Sequence, residues 1–154
     1  MMYSDVQMTD IADEALQQAF RAYYGELGVK VTNWEGLIEE ISASPDCLFV
    51  RRDREDRVIG FLLFAVLDAA SAGRGFYTVR LGCVEEFWVA PEHRRRGNGT
   101  ALLRLAEKHF VQLGCGYAIL TTDTAAQFYE RHGYRLQRGI SAKNKADVYV
   151  KPLT

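Results

Sequence analysis

The chain has 154 residues, 48% of them hydrophobic and 25% charged, a size and composition that suit one globular domain and exclude disorder or a fibrous repeat. Lysine and arginine number 19 against 20 acidic residues, a formal net charge of −1. Nothing in that balance draws the chain as a whole to a phosphate backbone, so nucleic-acid binding would need a local patch.

Residues Met1 to Asp13 are polar and acidic, with no apolar stretch ahead of a small-residue cleavage site, so they do not read as a secretory signal. Ile11, Ala15, Leu16, Ala19, Phe20 and Tyr23 recur at helical spacing, with Thr9 or Asp10 as cap and Gly25 and Gly28 at the end. A second short helix is expected after Asn33, because Leu37, Ile38 and Ile41 share a face and Pro45 follows. The period then changes. Cys47 to Arg52 and Val58 to Leu67 read as strands around a charged turn, Asp53 to Arg57, which makes a hairpin. Val58 to Leu67 is the most apolar run in the chain, and it is strand-sized, too short to span a membrane. Asp68 to Gly75 has the composition of a loop and is the segment expected to be mobile.

A further strand runs through Val84 to Val89 and stops at Pro91, and Arg94 to Gly99 is a basic, glycine-punctuated loop. Ala101, Leu102, Leu105, Ala106, Phe110 and Leu113 form the buried side of a strong helix that Gly114 and Gly116 terminate. Tyr117 to Thr121 reads as a strand, Thr124 to Arg131 as a short helix broken at Gly133, and Tyr134 to Gln137 and Val148 to Val150 as strands around a turn at Lys143 to Lys145. Hairpins in the first half and alternating strands and helices in the second imply a mixed α/β sheet flanked by helices. No repeat or linker interrupts residues 1–154, which read as a single domain.

The loop Arg94-Arg95-Arg96-Gly97-Asn98-Gly99-Thr100 lies between a strand and a helix. A helix N-terminus carries unsatisfied amides and positive dipole density, glycines let an anion approach closely, and arginines add charge. Taken alone, these residues also suit a tight turn with solvated arginines. No Walker A sequence and no G-x-G-x-x-G fingerprint is present.

Val84-Glu85-Glu86-Phe87-Trp88-Val89-Ala90-Pro91-Glu92-His93, followed by Arg94-x-x-Gly97-x-Gly99, resembles the pyrophosphate-binding strand, loop and helix of the GNAT superfamily of acetyl-CoA-dependent N-acetyltransferases. Ala125 to Tyr134, with Phe128-Tyr129 ahead of Gly133-Tyr134, resembles that family's second segment. Thr122 stands where the family often carries asparagine, and Asn98 where an aliphatic residue is common. The resemblance implies a mostly antiparallel mixed sheet with a central splayed parallel pair, flanked by helices. It also implies direct acetyl transfer from acetyl-CoA to a primary amine of a small molecule or peptide. Phe87, Trp88, Val89, Arg94, Arg95, Arg96, Gly97, Asn98, Gly99, Thr100, Ala125 and Phe128 would then contact acetyl-CoA, the amide of Val89 holding the thioester carbonyl.

Amine acetylation needs an unprotonated amine, a stabilised oxyanion and a proton for the departing thiolate. Tyr129 matches the family tyrosine that protonates the thiolate; the bland reading is a packed core tyrosine. Glu85 and Glu86 are consecutive and point to opposite faces of a strand, so one of them can face the amine. Glu85 shares parity with Phe87 and Val89, and the resemblance matches it to a strand glutamate that many family members use through water, which makes it the expected base, with Glu86 or a water chain as the alternatives.

The remaining candidates carry less. Cys47, Cys83 and Cys115 form no C-x-x-C pair, and neither they nor the scattered His93, His109 and His132 have metal-ligand spacing. Buried thiols in a reducing cytoplasm and no metal are therefore expected. Tyr23, Tyr24 and Trp34 either line an acceptor pocket or belong to the core. The rival functions are a non-catalytic acyl-CoA-binding regulatory module and an RNA-binding domain using the basic loop, though that loop has no interleaved aromatics. No membrane or nucleic-acid partner is expected, and the oligomeric state, a homodimer included, is open.

Overall fold

The computed structural model describes residues 2–7, 13–43, 47–68, 79–122, 124–138 and 147–153. The cap candidates Thr9 and Asp10, Ile11, Pro45, most of the loop after Asp68 and the turn at Lys143 to Lys145 lie outside them. In chain order the elements are β1 (Ser4–Gln7), α1 (Glu14–Leu27), α2 (Trp34–Ser42), β2 (Leu48–Arg52), β3 (Val58–Leu67), β4 (Leu81–Val89), α3 (Asn98–Gln112), β5 (Tyr117–Thr122), α4 (Ala126–Arg131), β6 (Arg135–Leu136) and β7 (Asp147–Pro152). The strands form one mixed sheet in the order β1-β2-β3-β4-β5-β7-β6. β4 and β5 are the parallel pair, in register over Leu81–Cys83 and Tyr117–Ile119, while β4 runs on to Val89. The chain divides into two compact units: Met1–Leu63 with Glu86–Leu105, and Phe64–Glu85 with Ala106–Thr154.

In the first unit, α1 begins at Asp13, whose side chain accepts the Leu16 amide at 3.1 Å. Asn33 caps α2 in the same way through Gly36. Gly28 ends α1, and Gly25 lies inside it. Leu16, Ala19 and Phe20 are the buried stripe of α1, and they pack with Ile41, Leu48, Val50, Phe61 and Trp88 into one core. At the hairpin turn, Asp53 Oδ1 accepts the amides of Glu55 and Arg57. β1 is a strand that no periodicity in the sequence marks. It pairs antiparallel with β2, Ser4 opposite Arg52 and Gln7 opposite Phe49.

The second unit gathers Leu81, Cys83, Ile119, Val148 and Val150 around β5, which pairs antiparallel with β7 from Tyr117 opposite Pro152 to Thr122 opposite Asp147. Gly82 in β4 lies against the ring of the fully buried Phe110 of α3. Among the described residues no helix is long and apolar enough to cross a membrane.

Candidate active site

The strand-to-helix connection is built in the first unit. Ala90 N–H donates to Ile59 O at 2.8 Å, Pro91–His93 make one 3₁₀ turn, and Arg95 (φ 62°) and Gly97 (φ 83°) reverse the chain. Ala101 N–H then reaches Gly97 O at 3.0 Å, so α3 starts at Asn98, inside the loop that the sequence delimits. A positive φ of this size favours glycine, and among the described residues no atom beyond its chain neighbours lies within 4 Å of where a Cβ of Gly97 would stand. The space above that point is therefore open.

Asn98 holds this turn in place. It is 1% exposed, accepts from Arg51 Nε at 2.8 Å and donates to His93 O at 2.9 Å. Arg51 is itself paired with Asp5 at 2.7 Å and lies over the Tyr3 ring, whose hydroxyl hydrogen-bonds His93. Residues of β1 and β2 thus brace the loop, and Asn98 contributes its side chain to the frame.

Arg95 and Arg96 are exposed. Arg94 is engaged elsewhere: its Nη2 spans both oxygens of Glu26 at 2.8 and 2.7 Å, and its Nε donates to Val89 O at 2.8 Å. Trp88, 7% exposed, sits in the core and donates its indole N–H to the same Glu26 at 2.9 Å. The bonds from Arg94, and then that from Trp88, hold the Glu26 carboxyl below its ordinary range despite some desolvation. Phe87 and Val89 are half-buried. Glu86 is also half-buried and accepts a hydrogen bond from the Tyr23 hydroxyl. Burial, and then the charges of Glu86 and Glu40, raise the neighbouring Tyr24 phenol.

The second unit carries the other candidates. Glu85 is exposed. Thr122 Oγ1 accepts the Ala125 amide at 3.0 Å ahead of α4, which holds Phe128 and Tyr129. Tyr129 is 8% exposed, edge-on to Phe128 and Tyr134 at centroid distances of 5.2 and 5.7 Å. Burial pushes its phenol up to about 12, so at neutral pH it is fully protonated. Tyr134 donates to Glu107 at 2.7 Å, and Lys151 pairs with the same carboxylate at 2.9 Å. Burial and the Glu107 charge keep Tyr134 protonated as well.

Phe87 to Thr100 therefore lie in the first unit, and Glu85, Ala125, Phe128 and Tyr129 in the second. Sequence reasoning missed Glu26 and the buried role of Asn98. Their partners are distant along the chain, and no local pattern marks them. Among the described residues no group of three histidine, cysteine or acidic side chains is placed to hold a metal ion.

The family model described as Acetyltransferase (GNAT) family matches residues 9–134. No curated protein matches the chain by sequence. Among solved structures, the chain resembles the NatC complex bound to Gag peptide and CoA, with TM-score 0.74, 17% identity and full coverage of both chains. It also resembles an acetyltransferase of the GNAT family from Staphylococcus aureus Mu50, with TM-score 0.73, 13% identity and 99% of each chain covered. A third is N-acetylglutamate synthase from Neisseria gonorrhoeae complexed with CoA and N-acetyl-glutamate, with TM-score 0.73 and 11% identity; all of this chain matches 36% of that one. At these identities the likeness concerns the fold.

Proposed function

The chain belongs to the acetyltransferase (GNAT) family, and from that premise we propose that it is an enzyme moving an acetyl group from acetyl-CoA directly to a primary amine of a small molecule or peptide. The observation that carries the reading is the loop of residues 94–100, where Gly97 at φ 83° leaves open space in front of the start of α3. Helix-terminal amides and the exposed Arg95 and Arg96 suit the diphosphate of CoA. Acetyl-CoA supplies the activated acetyl group as its thioester.

In this reading the Val89 amide polarises the thioester carbonyl. Tyr129, a protonated phenol at neutral pH that burial keeps protonated further into the alkaline range, delivers the proton to the departing thiolate. Glu85 takes the proton of the incoming amine, with Glu86 as the alternative. Tyr129 favours catalysis over a silent CoA-binding module, because a module has no use for a proton donor. Solved relatives that bind CoA with a peptide, or with N-acetyl-glutamate, support an amine acceptor. The reading takes residues 1–154 as one functional domain and places it in the cytoplasm, in keeping with the buried positions of Cys83 and Cys115.

Two measurements test it. CoA should raise the melting temperature, since a ligand of the native state alone stabilises by about 2.7 kcal/mol at a hundredfold excess over Kd. A panel of amines should then identify an acceptor through thiol release from acetyl-CoA. No thermal shift at millimolar CoA removes the assignment.

A further inference from the structure

The proposed chemistry gives no role to Glu26 of the first unit. Glu26, in the last turn of α1, accepts Arg94 Nη2 on both oxygens and Trp88 Nε1 on one of them. Arg94 continues from there to the carbonyl of Val89 through its Nε. Ala90 N–H is directed to Ile59 O on β3. Neighbouring residues of a strand turn their amides to opposite edges, and each residue presents its N–H and C=O to the same edge. The N–H and C=O of Val89 therefore share the edge away from β3, and Arg94 grips the residue whose amide is assigned to the thioester carbonyl.

An exposed ion pair by itself contributes little. This one is chelated, and the indole that completes it belongs to a core residue 7% exposed, so its importance lies in geometry. Turning Arg94 toward a phosphate would strip both Glu26 oxygens and the Val89 carbonyl of their shared donor.

We propose that Glu26 is a positioning residue: through Arg94 it fixes the peptide at Val89, and Arg94 is a strut between α1 and the end of β4, leaving the diphosphate to the loop backbone, Arg95 and Arg96. This rests on the acyl-transfer reading above.

The experiment uses Glu26→Ala, Glu26→Gln, Arg94→Ala and the Glu26→Ala/Arg94→Ala double variant, each checked for folding by circular dichroism. Calorimetric titration with CoA reads binding, and thiol release at saturating acetyl-CoA, to an amine of the panel or to water, reads the rate. CoA affinity stays within about twofold of wild type in all four. The rate falls about tenfold in Glu26→Ala and in Arg94→Ala, inside the ~10²-fold that a 1 Å misplacement can cost. The double variant falls no further, because both changes break one connection. Glu26→Gln recovers part of the rate, since its amide oxygen still accepts from Trp88 or Arg94. A tenfold loss of CoA affinity in Arg94→Ala, or tighter CoA binding in Glu26→Ala, makes Arg94 a phosphate ligand restrained by Glu26 and overturns the proposal. An unchanged rate in Glu26→Ala overturns it equally. If wild type neither binds CoA nor releases thiol, the acyl-transfer reading fails and takes this proposal with it, an outcome recognisable because wild type itself is silent.

Discussion

Tyr129→Phe removes one hydroxyl from a side chain 8% exposed and leaves its ring contacts with Phe128 and Tyr134 in place. Its phenol rises from an ordinary 10.0 to about 12 through burial. A raised value means that the stability of the native state is intact below pH 10. It is then lost as the pH climbs through 12, because the unfolded chain ionises first. By linkage that loss is about 2.7 kcal/mol for this one group. Urea denaturation between pH 8 and pH 12 should show the Phe variant gaining on wild type by about that amount. At neutral pH the same variant should lose about 10²–10⁴-fold in turnover, the usual range for a general acid, with CoA affinity intact. The phenol stays protonated throughout the ordinary assay range, so a high-pH limb below pH 10 belongs to another group. Turnover within a few-fold of wild type would refute the proton-donor role, and parallel pH–stability curves would refute the burial argument.

Two glycines give independent checks. Gly97→Ala meets open space but carries a Cβ at φ 83°, so it should cost about 1–2 kcal/mol in urea denaturation; Gly97→Asp should also weaken CoA binding at least tenfold by calorimetry, and equal affinity in the two variants would remove the anion from that spot. Gly82→Ala would place its Cβ 2.3 Å from Cγ of the Phe110 ring, an overpacking expected to cost about 1–3 kcal/mol, and pairing it with Phe110→Leu should return part of the loss in the same urea assay.

Elements with a strong period were legible in the sequence. β3 has the bounds its apolar run indicates, and the Leu37, Ile38 and Ile41 face and the Asn33 cap both describe α2. The start of α1 was misplaced: Asp13, adjacent to the helix, supplies the cap in place of Asp10 or Thr9. β1 escaped because its side chains are mostly exposed and polar, so no alternation marks Ser4–Gln7, and its evidence is the pairing with β2. At the candidate site, the strand, loop and helix were readable because Gly97, Gly99 and Pro91 act locally. The partners of Arg94 and Asn98 were not: Glu26 and Arg51 lie 68 and 47 positions away, and only the folded chain brings them together.

Among the described strands, the two shortest, Ser4–Gln7 and Arg135–Leu136, lie at the two ends of the strand order. A border of this kind presents few open amides and carbonyls to a second molecule, and Asp5, bound to Arg51, puts charge on it. Without residues 2–7 the border would become β2, whose Leu48, Phe49 and Val50 are consecutive and apolar. So this polar segment, which contributes little to the core, governs how the protein behaves at high concentration: preparations shortened by residues 2–7 should self-associate and clump, and they also lose the Tyr3 and Asp5 contacts that brace the loop of residues 94–100.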